Sequence, residues 1–261
     1  MGKEYIAKYF KEKQISNKNL FVPYIVAGDH GLERLKEQIL FLEECGVAAI
    51  ELGIPFSDPV ADGPTIQQAG LRALQNGISL RKILEFLGTF ERKVPIILMT
   101  YLNPIYVYGI DTFAKKCAEV GVDGVIIPDV PLEEEDVLVN ALEKNDIAFI
   151  RLVALTSTEE RMKEIGSRAE GFLYAVSVTG TTGARATHQD RVYSYLKHLT
   201  NLTDVPVLAG FGVSNATQAK ELSFHCDGVI VGSKIVELFH EGRDEDVRQL
   251  IEESIRKEKS K

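Results

Sequence analysis

Residues 44–52 read ECGVAAIEL, residues 119–127 read EVGVDGVII, and residues 225–233 read HCDGVIVGS. Each stretch passes from a polar, helix-like end into a short run of Ala, Val and Ile. Three copies of one join in a single chain indicate a structural unit used repeatedly.

The apolar half of that join recurs along the sequence: FVPYIVAG from Phe21, AAIELG from Ala48, PIILMTY from Pro95, GVIIPD from Gly124, AFIRLVAL from Ala148, FLYAVS from Phe172, VPVLAGFG from Val205 and GVIVGS from Gly228. These eight runs are short and rich in Val, Ile or Leu, and most are closed by Gly, Pro or Asp. That is the pattern of parallel strands buried on both faces. Helical stretches separate them. In GLERLKEQILFLEEC, Leu32, Leu35, Ile39 and Leu42 recur at three and four residues while Glu and Lys fill the other face. DTFAKKCAEV, EEEDVLVNALEKN, STEERMKEIGSR, DRVYSYLKHL and NATQAKELS repeat the stripe, several opening on a residue suited to an N-cap.

Eight strand–helix units in 261 residues predict an α/β fold, a (β/α)8 TIM barrel. The competing open, doubly wound sheet would carry fewer strands and a reversal of strand order. MGKEYIAKYFKEKQ adds an N-terminal amphipathic helix, and residues 65–76 leave room for a loop helix before SLRKILEFLGTF. With no Ser- or Gly-rich linker, residues 1–261 read as a single domain.

A net charge of -8 and a pI near 5.3 set the chain against nucleic acid and anionic membrane surfaces, which repel it at a distance. The N-terminus lacks the continuous apolar core of a secretion signal, and Ile6 stands where a myristoylation motif needs Ser or Thr. Cys45, Cys117 and Cys226 are far apart, which suits packed thiols in a cytoplasmic protein. The five histidines show no close metal-ligand spacing and there is no CxxC pair, so no catalytic metal is expected. No lysine closes a strand run as a Schiff-base enzyme requires, and neither a GxSxG elbow nor a Walker loop is present.

In a barrel, chemistry sits where the strands end. AGFGVSNA and VGSKI place glycine-rich backbone before a helix after the seventh and eighth runs, the usual phosphate position, nominating Phe211, Gly212, Gly232 and Ser233. Tight strand-to-helix turns are the plainer reading of the same glycines. TGTTGARAT from Thr179 has the composition of a lid, and equally of a plain surface loop. Alternation turns Glu51 away from Ile50 and Leu52 and into the barrel mouth, where an apolar setting would let a carboxyl exchange a proton near neutral pH. A structural ion pair is the alternative for Glu51. Asp62 could meet a donor on a substrate, and Asp58, between two prolines, reads as a turn residue. The residues by themselves indicate a phosphate-binding barrel that moves protons.

ELGIPFSDPVADGPTIQQA, followed in order by IILMTYLNPI, GVIIPDVP, TGTTGAR, VLAGFGVS and GVIVGS, resembles the α-subunit family of tryptophan synthase over almost the whole chain. The resemblance implies retro-aldol cleavage of indole-3-glycerol phosphate to indole and glyceraldehyde 3-phosphate, without metal or cofactor. It implies Glu51 as the general acid-base residue and Asp62 as acceptor of the indole N–H. Phe21, Leu98, Tyr101, Asp129, Tyr174 and Phe211 would form the substrate pocket, with Thr182 and Gly183 in the lid and Gly212, Gly232 and Ser233 at the phosphate. The resemblance also implies a β-subunit partner in an α2β2 heterotetramer, with pyridoxal phosphate only in that partner. Many members carry Arg where this chain has Val178, which bears on the lid. A stand-alone lyase and a non-catalytic barrel that binds a phosphometabolite are the remaining readings.

Overall fold

The computed structural model describes residues 2–16, 18–177 and 185–256. Nine parallel strands form one sheet: β1 (Leu20–Val26), β2 (Ile50–Gly53), β3 (Ile96–Met99), β4 (Gly124–Ile126), β5 (Ala148–Phe149), β6 (Arg151–Ala154), β7 (Leu173–Val176), β8 (Val207–Gly210) and β9 (Gly228–Val231). The order is β5-β4-β3-β2-β1-β9-β8-β7-β6. Its two ends, β5 and β6, are separated in sequence by Ile150 alone, so the run AFIRLVAL is one strand divided in two. Its first half pairs with β4 and its second with β7, which closes the sheet into the eight-unit barrel that the sequence predicts.

Alternation along the strands separates two apolar layers. Leu20 and Val22, Ala49, Ile97, Ile126, Leu208 and Ile230 pack together inside the barrel. Residues of the opposite parity, Phe21, Ile25, Ile50, Leu52, Ile96 and Leu98, pack beneath the surrounding helices. The N-terminal helix Lys3–Ile15 inserts Ile6 and Phe10 into the inner cluster, where Phe10 stacks on Phe172 at 6.0 Å. The amino ends of the strands are thereby plugged, which leaves the carboxyl ends as the open face.

The loop helix expected over 65–76 forms as Pro64–Gln75, with Pro64 in the first turn, where its missing N–H costs nothing. A further helix, Leu102–Tyr108, grows from YLNPIYVY after β3. Pro104 obscures it in the sequence, yet a proline in the first turn is compatible with a helix. Residues 178–184, which include Val178, Thr182 and Gly183, lie outside the described residues.

Candidate active site

Glu51 stands on β2, in register with Tyr24 of β1 and Ile97 of β3. It is fully buried, and among the described residues neither of its carboxyl oxygens has a hydrogen-bond partner. An anion in that position has lost water and gained no donor. Burial first, and then the negative charge of Asp62, push its pKa up to about 8.

Asp62 lies in the loop that carries the chain from β2 to Pro64. Burial raises its pKa as well, while a hydrogen bond from the Tyr101 side chain pulls it down. The same Tyr101 hydroxyl accepts the Ala61 backbone N–H at 3.1 Å, and its ring lies 5.3 Å from that of Phe56. One tyrosine therefore holds both the backbone and the acid of this loop. Asp58 is exposed and accepts from the neighbouring Ser57 hydroxyl at 2.5 Å, the local bond of a turn residue.

Two further tyrosines complete the walls. Tyr24, buried, and Tyr174, half-buried, stand beside the acids, and each is pushed well above its ordinary pKa, chiefly by loss of solvent and secondarily by negative charge that includes Glu51. Each ring lies over a glycine of the adjacent strand. A Cβ on Gly53 would fall 2.0 Å from the Tyr24 hydroxyl, and one on Gly210 would fall 2.4 Å from Tyr174 Cε2. The strand glycines thus make room for aromatic rings at the mouth.

These groups surround a cavity of about 390 Å³. Glu51, Asp62, Tyr24, Met99 and Ile66 line it from the β1–β3 side, and Tyr174, Gly210, Gly212, Gly232 and Ser233 from the β7–β9 side. The two glycine turns differ in a way that matters for an anion. The helix Ala216–Ser223 is capped by its own Asn215, whose side chain accepts the Gln218 N–H at 3.0 Å, and the Ser214 N–H is taken by the Gln218 side chain at 2.9 Å. The helix Ser233–His240 has no side-chain cap. Its first-turn N–H groups lack intrahelical partners and lie at the cavity wall with the positive end of the helix dipole, a setting for phosphate.

A buried acid beside a half-buried one, an aromatic wall and an uncapped helix start suit an aromatic phosphate ester that reacts by proton transfer. The model of the family described as tryptophan synthase alpha chain matches residues 10–261. This chain belongs to the tryptophan synthase alpha chain family. It is 55% identical to the tryptophan synthase alpha chain of Oceanobacillus iheyensis over 98% of both chains. It is 46% identical to that of Bacillus cereus over the full length of both. Among solved structures, tryptophan synthase subunit alpha from Legionella pneumophila superposes with a TM-score of 0.87 at 32% identity, covering 97% of each chain. An open form of tryptophan synthase from M. tuberculosis matches with a TM-score of 0.85 at 31% identity, over 95% of this chain and 96% of that one. As an alpha chain the protein is a lyase of tryptophan biosynthesis, and the family implies a beta-subunit partner.

The structure of this alpha chain brings Glu51, Asp62, Tyr174, Gly212, Gly232 and Ser233 to one cavity, with Tyr101 bonded to its rim. It does not bring Phe21 or Leu98 there. Both are buried on the outward face of their strands, under the helices. Tyr24 and Met99 line the cavity from those strands instead. Parity supplies the missing signal: Tyr24 is directly opposite Glu51, and Met99 lies two residues beyond Ile97 on the same face. Asp129 accepts the Leu102 N–H at 3.0 and 3.2 Å, holding the start of the helix after β3 rather than lining the cavity. Phe211 is half-buried, with its ring 6.3 Å from that of Tyr195.

Proposed function

We propose that this alpha chain cleaves indole-3-glycerol phosphate to indole and glyceraldehyde 3-phosphate, with Glu51 moving the protons. The observation that carries the assignment is the fully buried Glu51 carboxyl, unpartnered among the described residues and facing the same cavity as Asp62 and the helix start at Ser233. With a pKa of about 8, Glu51 can both give and take a proton near neutral pH.

The steps balance with those groups. Glu51 protonates indole C3, which places positive charge on the ring, and the Asp62 carboxylate accepts the indole N–H and stabilises that charge. The glycerol hydroxyl next to the ring then returns a proton to Glu51 as the carbon–carbon bond breaks, leaving an aldehyde and neutral indole. Tyr24, Met99, Tyr174 and Ile66 offer the apolar contacts an indole ring needs, and Gly212, Gly232 and Ser233 the amides for its phosphate. Two carboxylates and a helix start require no cofactor on this chain, so pyridoxal phosphate belongs to the partner.

That partner is the beta subunit, in an α2β2 assembly, and the setting is the cytoplasm. In support, Val60 on the loop after β2 and Tyr106 and Val107 on the helix after β3 are exposed large apolar residues, on the same rim that Tyr101 and Ala61 tie together. No described helix is long and apolar enough to cross a membrane.

The test is incubation of the purified chain with indole-3-glycerol phosphate while indole release is followed, with and without a beta subunit. Release that rises on adding the beta subunit supports the whole reading. A chain equally fast without it is a stand-alone lyase, and no indole under either condition refutes the assignment.

A further inference from the structure

His30 and His240 are 210 residues apart in sequence, yet His240 Nδ1 lies 3.3 Å from His30 Nε2. Their rings are nearly parallel, 22° apart, with centroids at 5.2 Å. His30 Nε2 is also 3.4 Å from Asp29 Oδ2. One ligand-type atom from each of the three residues lies within 4.8 Å of the others. Asp29 and His30 sit in the turn that leaves β1, and His240 ends the helix that begins at Ser233. None of the three lines the cavity that holds Glu51.

We propose that Asp29, His30 and His240 form a site for a late first-row divalent cation of the zinc type, bound through two imidazoles and one carboxylate, with water completing the shell. Two of the three donor separations are those of a tetrahedral centre. Metal–nitrogen and metal–oxygen bonds of about 2.0–2.2 Å at tetrahedral angles separate neighbouring donors by roughly 3.3–3.5 Å. Both separations that meet at His30 Nε2 match that span. The donor set favours zinc over magnesium or calcium, which prefer all-oxygen shells.

Two features of the surroundings support a cation. Arg72 grips Asp29 through Nε–Oδ1 at 2.6 Å and a second bond to Oδ2 at 2.9 Å, so the carboxylate facing His30 is held in place as an oriented ligand. His240 occupies the last turn of its helix, where the negative end of the dipole attracts positive charge. His240 is exposed and His30 is about one-third exposed, so rotation about χ2 can turn both lone pairs onto one ion. Arg72 opposes binding by its charge. Arg34 opposes it less, being paired with Asp244 at 2.7 Å and Glu37 at 3.1 Å. A bound ion would fasten the turn after β1 to the end of the helix whose start lies at the cavity.

The test is calorimetric titration of Zn2+ into the chelator-stripped full chain and into His30→Gln and His240→Gln, with Co2+ absorption as a second readout. Wild type should bind one ion and give the intense visible bands of tetrahedral Co2+. Each variant should bind at least about tenfold more weakly, while melting like wild type in chelator. Unchanged affinity in either variant overturns the site in favour of a plain stacked imidazole pair. Absence of tetrahedral bands in wild type at saturating Co2+ does the same, whatever the variants do.

Discussion

The charge on Asp62 acts on Glu51, adding to burial, and together the two hold the Glu51 carboxyl at about 8. Removing the charge while keeping the shape, as in Asp62→Asn, should lower the Glu51 pKa, because its anion would then face no neighbouring negative charge. Burial is the larger cause and is untouched, so the value should stay above the ordinary 4.5. A carbon-13 titration of the Glu51 carboxyl in both proteins reads this directly. An unchanged or raised midpoint in Asp62→Asn contradicts the coupling.

Glu51→Gln should lower indole release by about 100- to 10,000-fold, the span of a lost general acid-base group. Its effect on stability should depend on pH. The folded chain keeps the Glu51 proton up to about 8, whereas the unfolded chain releases it near 4.5. Between those values the folded state binds more protons, so wild-type stability falls as pH rises and levels off above about 8. Glutamine has no such titration. The stability of Glu51→Gln relative to wild type should therefore rise across the window, with a ceiling of roughly 4–5 kcal/mol from the shift in a fully buried group. Urea unfolding at several pH values measures the difference, and a flat difference would mean that Glu51 titrates normally.

Tyr101→Phe removes one hydroxyl that serves two bonds, accepting from the Ala61 N–H and donating to Asp62. A lost hydrogen bond of this kind costs about 1 kcal/mol, so turnover should fall by roughly fivefold to tenfold, with global stability nearly unchanged because the loop is at the surface. The Asp62 pKa should move further up, since burial would act without the bond that opposes it. A rate loss with no change in the Asp62 titration would place the effect of Tyr101 elsewhere.

How much of this was legible in the sequence depended on whether the signal was local. The strand runs, the helix stripes and Pro64 at a helix start are local patterns, and the barrel follows from them. Glu51 was readable because alternation within AAIELG turns it away from Ile50 and Leu52. Phe21 and Leu98 were not, because choosing among neighbours on a fully apolar strand requires the register with the next strand, and FVPYIV is hydrophobic at both parities. Asp129 is equally ambiguous: a carboxylate at a strand end can face a substrate or bind a helix start, and only the Leu102 N–H decides between them. The pairing of His30 with His240 is more remote still, since barrel closure brings the first strand beside the last.

Ser233→Asp sets two effects of the same dipole against each other. A carboxylate at the start of the helix Ser233–His240 complements the positive end of the macrodipole, so the fold should be unchanged or stabilised by about 0.3–1 kcal/mol. The same charge would occupy and repel the place assigned to the substrate phosphate. KM for indole-3-glycerol phosphate should rise at least about tenfold, equivalent to 1.4 kcal/mol of lost binding, while the Glu51 pKa keeps its raised value. Thermal unfolding and steady-state kinetics on one preparation separate the two effects. A stable variant with unaltered KM would remove the phosphate from this helix start, and a variant that fails to fold would contradict the uncapped terminus on which the assignment rests.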